Sequence, residues 1–133
     1  MHIVLCGSMS AAASMIRLSN DLQSRGHMVT LPENSAAHAK GFFRENAEEK
    51  KELDVFKKYF AEIQKADAIL VCNEKKGEVP NYIGPNTLIE MAFAYVLEKE
   101  IYVWNDLPAG SFRDEIEAMH PIVLRASFDS LSL

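Results

Sequence analysis

The sequence is short of cysteine, of basic charge and of long apolar runs, and each shortage removes a class of protein. Two cysteines in 133 residues, Cys6 and Cys72, cannot build the disulfide framework of a small secreted domain. They lie at the ends of apolar runs without metal-ligand spacing, so free buried thiols in a reducing cytoplasm are the expected state. The surplus of acidic over basic residues leaves a formal net charge of -5. That is the wrong sign for general binding to nucleic acid or to an anionic membrane, though a few local donors would still hold a small anion. The first apolar run, Ile3 to Cys6, is too short for a secretory signal core or a membrane span. A cytoplasmic location is expected. His2, His27, His38 and His120 are scattered and form no ligand set, so no metal site is expected; no other cofactor is expected either.

What remains is a composition of 48% hydrophobic and 25% charged residues, that of a globular chain with enough length for one domain over residues 1–133 and a substantial core. Apolar runs alternate with helical patterns, the signature of a parallel sheet covered on both faces. Strands are expected at Ile3–Cys6, His27–Leu31, Asp67–Cys72, Ile101–Trp104 and Pro121–Leu124. The third is apolar almost throughout, as a strand buried on both faces should be. Met15, Leu18 and Leu22 mark a first helix ending at Arg25-Gly26, where the glycine suits a C-cap. A second helix presents Phe56, Phe60 and Ile63; a third carries Leu88, Met91, Ala92 and Tyr95; a short one runs from Phe112 to Met119 after Ser111. Residues 33–46, with Phe42 and Phe43, read as a flap, and Glu48 to Glu52 as a solvated surface.

Five strands joined by right-handed crossovers have few solutions. The commonest is the flavodoxin-like three-layer α/β fold, a five-stranded parallel sheet of order 2-1-3-4-5. Ligands in such sheets bind at the carboxyl ends of the strands that flank the order reversal, here the first and third. That places the bend Gly7-Ser8-Met9-Ser10 opposite the long loop from Asn73 to Asn86.

Two groups in that region bear chemistry. Gly7 lets backbone approach a ligand, and the helix after Ser8 and Ser10 aims free N–H groups at an anion, although either serine also suits a plain N-cap. Glu90 is expected in the first turn of the third helix, kept ionised by the helix dipole. There it is either a nucleophile for an electrophilic sugar carbon or the N3 member of a capping box led by Thr87. Tyr82 either stacks on a base or anchors the loop, and Asn73 and Asn86 are either donors to a sugar hydroxyl or turn residues. Asp67 reads as a loop-edge carboxylate bonded to nearby backbone.

The chain resembles the nucleoside 2-deoxyribosyltransferase superfamily, which includes the 2′-deoxynucleoside 5′-phosphate N-hydrolases. The matching segments are Leu5-Cys6-Gly7-Ser8, Ala66-Asp67-Ala68-Ile69-Leu70-Val71, and Glu90-Met91-Ala92-Phe93-Ala94-Tyr95, together with Lys99. The resemblance implies that Glu90 attacks the anomeric carbon of a 2-deoxyribosyl group and expels the base, with water or a second base resolving the glycosyl-enzyme. It further implies a sugar or phosphate contact at Ser8, a nucleoside or nucleotide ligand held near Gly7, Met9, Ser10, Tyr82, Gly84 and Asn86, and a homodimer. Three positions depart from the pattern. Tyr59 stands where an aspartate usually serves the leaving base, Gly84 where aspartate or serine is common, and Ser10 where the phosphate hydrolases often carry arginine. Asp54 and Glu62 are the carboxylates near enough in sequence to replace the first. The alternative to an enzyme is a non-catalytic nucleoside- or nucleotide-binding module on the same fold; a glycohydrolase of ADP-ribose or NAD type is a third reading.

Overall fold

A computed structural model describes residues 1–33, 35–39 and 54–131. Of the segment 33–46 read as a flap, Glu33 and Ser35–Ala39 are described, the latter as a short helix rather than irregular chain; Phe42 and Phe43, and the polar run from Glu48 to Glu52, lie outside the described residues. Five strands form one parallel sheet: β1 (His2–Cys6), β2 (Met28–Thr30), β3 (Ala68–Val71), β4 (Glu100–Val103) and β5 (Ile122–Val123). Their order is β2-β1-β3-β4-β5, and every pairing is parallel. The flanking helices are α1 (Ala12–Ser24), α2 (Ser35–Ala39), α3 (Val55–Lys65), α4 (Pro85–Val96) and α5 (Arg113–Ala118). The fold is the doubly covered α/β arrangement expected from the alternation of patterns, with β2, β3 and β5 each shorter than the expected runs.

Alternation along β1 divides the core. Val4 and Cys6 face one side with Tyr59, Ile63, Met91, Ala94 and Ile116, the layer of α3, α4 and α5. Ile3 and Leu5 face the other with Met15, Leu18 and Leu22 of α1, and with Leu124 and Leu131 from the end of the chain. β3 is buried at every position, which is why its sequence is a continuous apolar run rather than an alternating one. Gly26, at φ +91°, follows the last turn of α1 and lets the chain reverse into β2. Asp67 accepts a hydrogen bond of 2.7 Å from the His2 amide, so this carboxylate ties the start of β3 to the start of β1.

One helix start differs from expectation and affects the site. α4 begins at Pro85 with Gly84 as its N-cap, not at Thr87. Proline is pre-set for the first helical position and has no amide to leave unbonded there. Gly84 takes the extended cap conformation, φ -86° and ψ 177°, and its carbonyl accepts from Leu88 N at 3.0 Å. Thr87 is consequently buried inside the first turn, and no acidic residue occupies that turn. The capping box does not form, and Glu90 lies in the second turn, beyond the range over which the helix dipole acts strongly. α5 begins one residue later than expected, at Arg113, with Phe112 in the cap position.

Candidate functional site

The order reversal sets the carboxyl ends of β1 and β3 side by side, with Cys6 opposite Val71. Gly7 continues β1 through a confined space. A Cβ there would stand 3.0 Å from the Cys72 carbonyl oxygen and 3.2 Å from the Met15 sulfur. Only a residue without a side chain lets the strand turn at that point into the short 3-10 turn Met9–Ala11 and then into α1.

Next to this bend opens a cavity of about 400 Å³, within the range of small-molecule sites. Gly7 and Met9 contribute from the bend, and Thr30 to Glu33 from the end of β2. One face of α3 contributes Phe56, Lys58, Tyr59 and Glu62 among others, and α4 contributes Asn86 and Glu90. Asn86 and Glu90 are one helical repeat apart, so their side chains share a face. The early start at Pro85 includes Asn86 in the helix and so puts it on the face of Glu90.

Glu90 is half-buried, and beneath it lies Cys6, whose thiol is fully buried. Burial, and then the charge of Glu90 and a hydrogen bond to it, hold the Cys6 thiol well above its ordinary range. The thiol stays protonated and donates to the carboxylate. Tyr59 is buried beside them and its phenol donates to the carbonyl oxygen of Leu5 in β1. Its ionisation is suppressed chiefly by burial, then by Cys6, Glu90 and Glu62. Of these two neutral groups Tyr59 lines the cavity and Cys6 lies behind the lining, and Glu62 stands on the α3 wall within electrostatic reach of the same phenol. Cys72, on the other face of the sheet, is pushed up to about 12, again mainly by burial. A carboxylate so placed can act as a nucleophile toward an electrophilic carbon, or as a proton acceptor.

This chain shares its fold with a CMP N-glycosidase. The solved structure is that of BcmB from Clostridium botulinum, with a TM-score of 0.55 and 15% sequence identity, covering 92% of this chain and 88% of that one. At that identity the likeness carries the fold alone. No family model and no curated protein sequence matches the chain.

The expected site residues divide into two groups. Gly7, Met9, Asn86 and Glu90 meet at the cavity. Ser8, Ser10, Tyr82 and Gly84 are not among the described residues lining it. The Ser10 hydroxyl donates to that of Ser8 at 3.1 Å, and Ser8 precedes the 3-10 turn without a side-chain cap bond. Tyr82 closes on its own loop: the Lys76 ammonium lies 4.9 Å from its ring centroid, and its ring fills the space above Gly84. Asn73 is fully buried, donating to the Asp106 carbonyl at 2.8 Å and accepting from the Asn105 amide at 2.8 Å. It clamps the loop after β3 to the loop after β4. The wall opposite α4 is therefore built by the end of β2 and by α3, not by the long loop from Asn73 to Gly84. Of the two carboxylates near Tyr59 in sequence, Glu62 reaches the cavity, whereas Asp54 heads α3 in a left-handed conformation and lies 4.0 Å from the Lys57 ammonium.

Sequence reasoning missed Cys6 as a partner of Glu90, and it missed Thr30 to Glu33 altogether. The alternation in β1 already placed Cys6 on the same sheet face as Val4, and hence under α3 and α4. No comparable signal marked residues 30–33, because their approach to α3 depends on tertiary packing.

Proposed function

We propose that this protein cleaves or transfers the N-glycosidic bond of a (deoxy)nucleoside or nucleotide, with Glu90 as the nucleophile. The observation that carries the reading is Glu90 half-buried in a cavity at the end of β1, held from below by the Cys6 thiol. A fold shared with a CMP N-glycosidase over nearly the whole chain supports it, as does the resemblance of the Glu90 segment to the deoxyribosyltransferases.

In the proposed reaction a Glu90 carboxylate oxygen bonds to the anomeric carbon while the bond from that carbon to the base nitrogen breaks. The electron pair leaves with the base, which takes up a proton. Glu62, in the α3 wall, is the carboxyl group that faces the departing base and takes the place of an aspartate at Tyr59. Water, or the nitrogen of a second base, then attacks the same carbon, the ester bond to Glu90 breaks, and the proton of the attacking group is released. Asn86, one turn before Glu90, is the hydrogen-bonding partner for the sugar, and Gly7 and Met9 close the bend around it. The chemistry needs no metal or redox group. The protein is proposed to act as a single domain in the cytoplasm and as a homodimer. Ile89, Tyr95 and Val96 of α4, 40%, 48% and 77% exposed, form the face offered to the second copy.

Glu90→Gln tests the reading. The amide keeps an oxygen that accepts from the Cys6 thiol, so the fold should survive, but it cannot form the ester. Base release from deoxynucleosides or their monophosphates should fall at least about 1,000-fold. Equal rates for the two proteins would remove Glu90 from the chemistry. Ligand binding without base release by the unmodified protein would favour the binding module instead, a reading to which the Tyr59 substitution lends weight.

A further inference from the structure

The described part of the cavity wall carries three carboxylates, Glu33, Glu62 and Glu90, against one cation, Lys58. That cation is already engaged: its ammonium lies 3.3 Å from the Glu33 carboxylate. The pair joins the two elements that form the wall opposite α4, with Glu33 after the end of β2 and Lys58 on the first turns of α3. Both side chains are about half-exposed, so the pair adds little to stability. Its consequence is for the ligand. A 5′-monophosphate brings about -1.5 to -2 charges toward a wall where, among the described residues, the cation is paired with Glu33 and the other charged groups are carboxylates. An unphosphorylated nucleoside brings none.

We propose that this site selects an unphosphorylated nucleoside, and that Glu33 sets the selection by occupying Lys58 and presenting its own charge to an incoming phosphate. The proposal rests on reading the cavity as the nucleoside site, and it names the substrate class within that reading. Glu33 is a specificity-determining residue and takes no part in the bond exchange. Each unfavourable charge at about 10 Å in a partly solvated cleft changes relative affinity by about tenfold.

The experiment measures calorimetric binding of a 2′-deoxynucleoside and its 5′-monophosphate to the Glu90→Gln protein, which holds both ligands without turnover. The same pairs are then measured on the protein carrying Glu33→Gln as well. The nucleoside should bind at least about tenfold tighter than its monophosphate. Glu33→Gln should shrink that ratio about tenfold, because Lys58 is released, and the gain in monophosphate affinity should fade in high salt. Equal or tighter binding of the monophosphate before Glu33 is changed overturns the proposal and assigns the phosphate to the backbone of the Gly7 to Ser10 bend. A ratio indifferent to Glu33→Gln overturns the role of Glu33. If neither ligand binds, the selection and the nucleoside reading fall together. If the nucleoside binds selectively but the unmodified protein never releases its base, the glycosidase reading falls and the selection stands.

Discussion

Gly7 and Gly84 present nearly equal crowding to an added methyl group, and the structure says that only one of them is costly to change. At Gly7 a Cβ would meet the Cys72 carbonyl oxygen at 3.0 Å and the Met15 sulfur at 3.2 Å. Neither neighbour can yield easily. Cys72 is fixed by the hydrogen bond that its backbone N–H donates to the Cys6 carbonyl oxygen at 2.7 Å, and the Met15 side chain is fully buried between α1 and the sheet. Relief requires moving backbone at the junction of β1 and β3, an overpacking cost of about 1–3 kcal/mol. At Gly84 the nearest atom is the Tyr82 hydroxyl oxygen at 2.9 Å, the far end of a half-buried ring that can swing outward. The φ of -86° there suits alanine, the loss of a glycine cap costs some tenths of a kcal/mol, and the stiffer unfolded chain returns about as much. Gly84→Ala should therefore cost less than about 1 kcal/mol. For 133 residues the unfolding entropy is about 0.28 kcal/mol/K, so Gly7→Ala should lower Tm by roughly 4–11 °C. Thermal unfolding followed by circular dichroism, with urea titration as a second measure, decides the matter. A Gly7→Ala protein as stable as the parent, or a Gly84→Ala protein that loses more than it, would refute the packing at this bend.

Two further predictions follow from elements away from the cavity. His27 is buried with Nδ1 3.0 Å from the N-terminal nitrogen of Met1, and its Nε2 has no hydrogen-bond partner among the described residues. Burial first, then the N-terminal ammonium and Arg25, lower its pKa from the ordinary 6.5. The unfolded chain then binds a proton that the folded chain refuses. The associated stability is complete above about pH 7 and is lost as pH falls through 6.5 toward the lower folded value. Urea midpoints measured from pH 7.5 down to 5 should show this decline, and His27→Gln should flatten it; an unchanged slope would contradict the assignment. For the proposed dimer, light scattering should give twice the chain mass, and Val96→Glu combined with Tyr95→Glu should halve it. A monomer at high concentration before any substitution would remove that proposal.

Much of the fold was legible because burial dictates residue type over short stretches. Ala68 to Val71 reads as a doubly buried strand from four apolar residues alone, and five such runs with intervening helices leave few strand orders. The candidate site was legible only where one element decided it. Gly7 sits where it does because of the strand before it, and Glu90 because of the helix it rides on. The start of α4 was misread because Thr87 and Glu90 have the spacing of a capping box, while Pro85 competes for the first helical position and prevails. The wall formed by Thr30 to Glu33 and by α3 was not legible, since it joins segments far apart in sequence and leaves no periodic trace. Tyr59 illustrates the same limit: the resemblance marks it only as standing where an aspartate is expected, whereas in the fold its phenol anchors α3 to the Leu5 carbonyl under the cavity.

The central claim is that a carboxylate oxygen of Glu90 becomes bonded to the anomeric carbon of the substrate. Rapid mixing with a deoxynucleoside, acid quenching and mass spectrometry of the digested protein test it directly. The account predicts a transient mass increase of one deoxyribosyl group on the peptide carrying Glu90, absent from Glu90→Gln. Base release with the adduct on another residue, or undiminished release from the Gln variant, would contradict it.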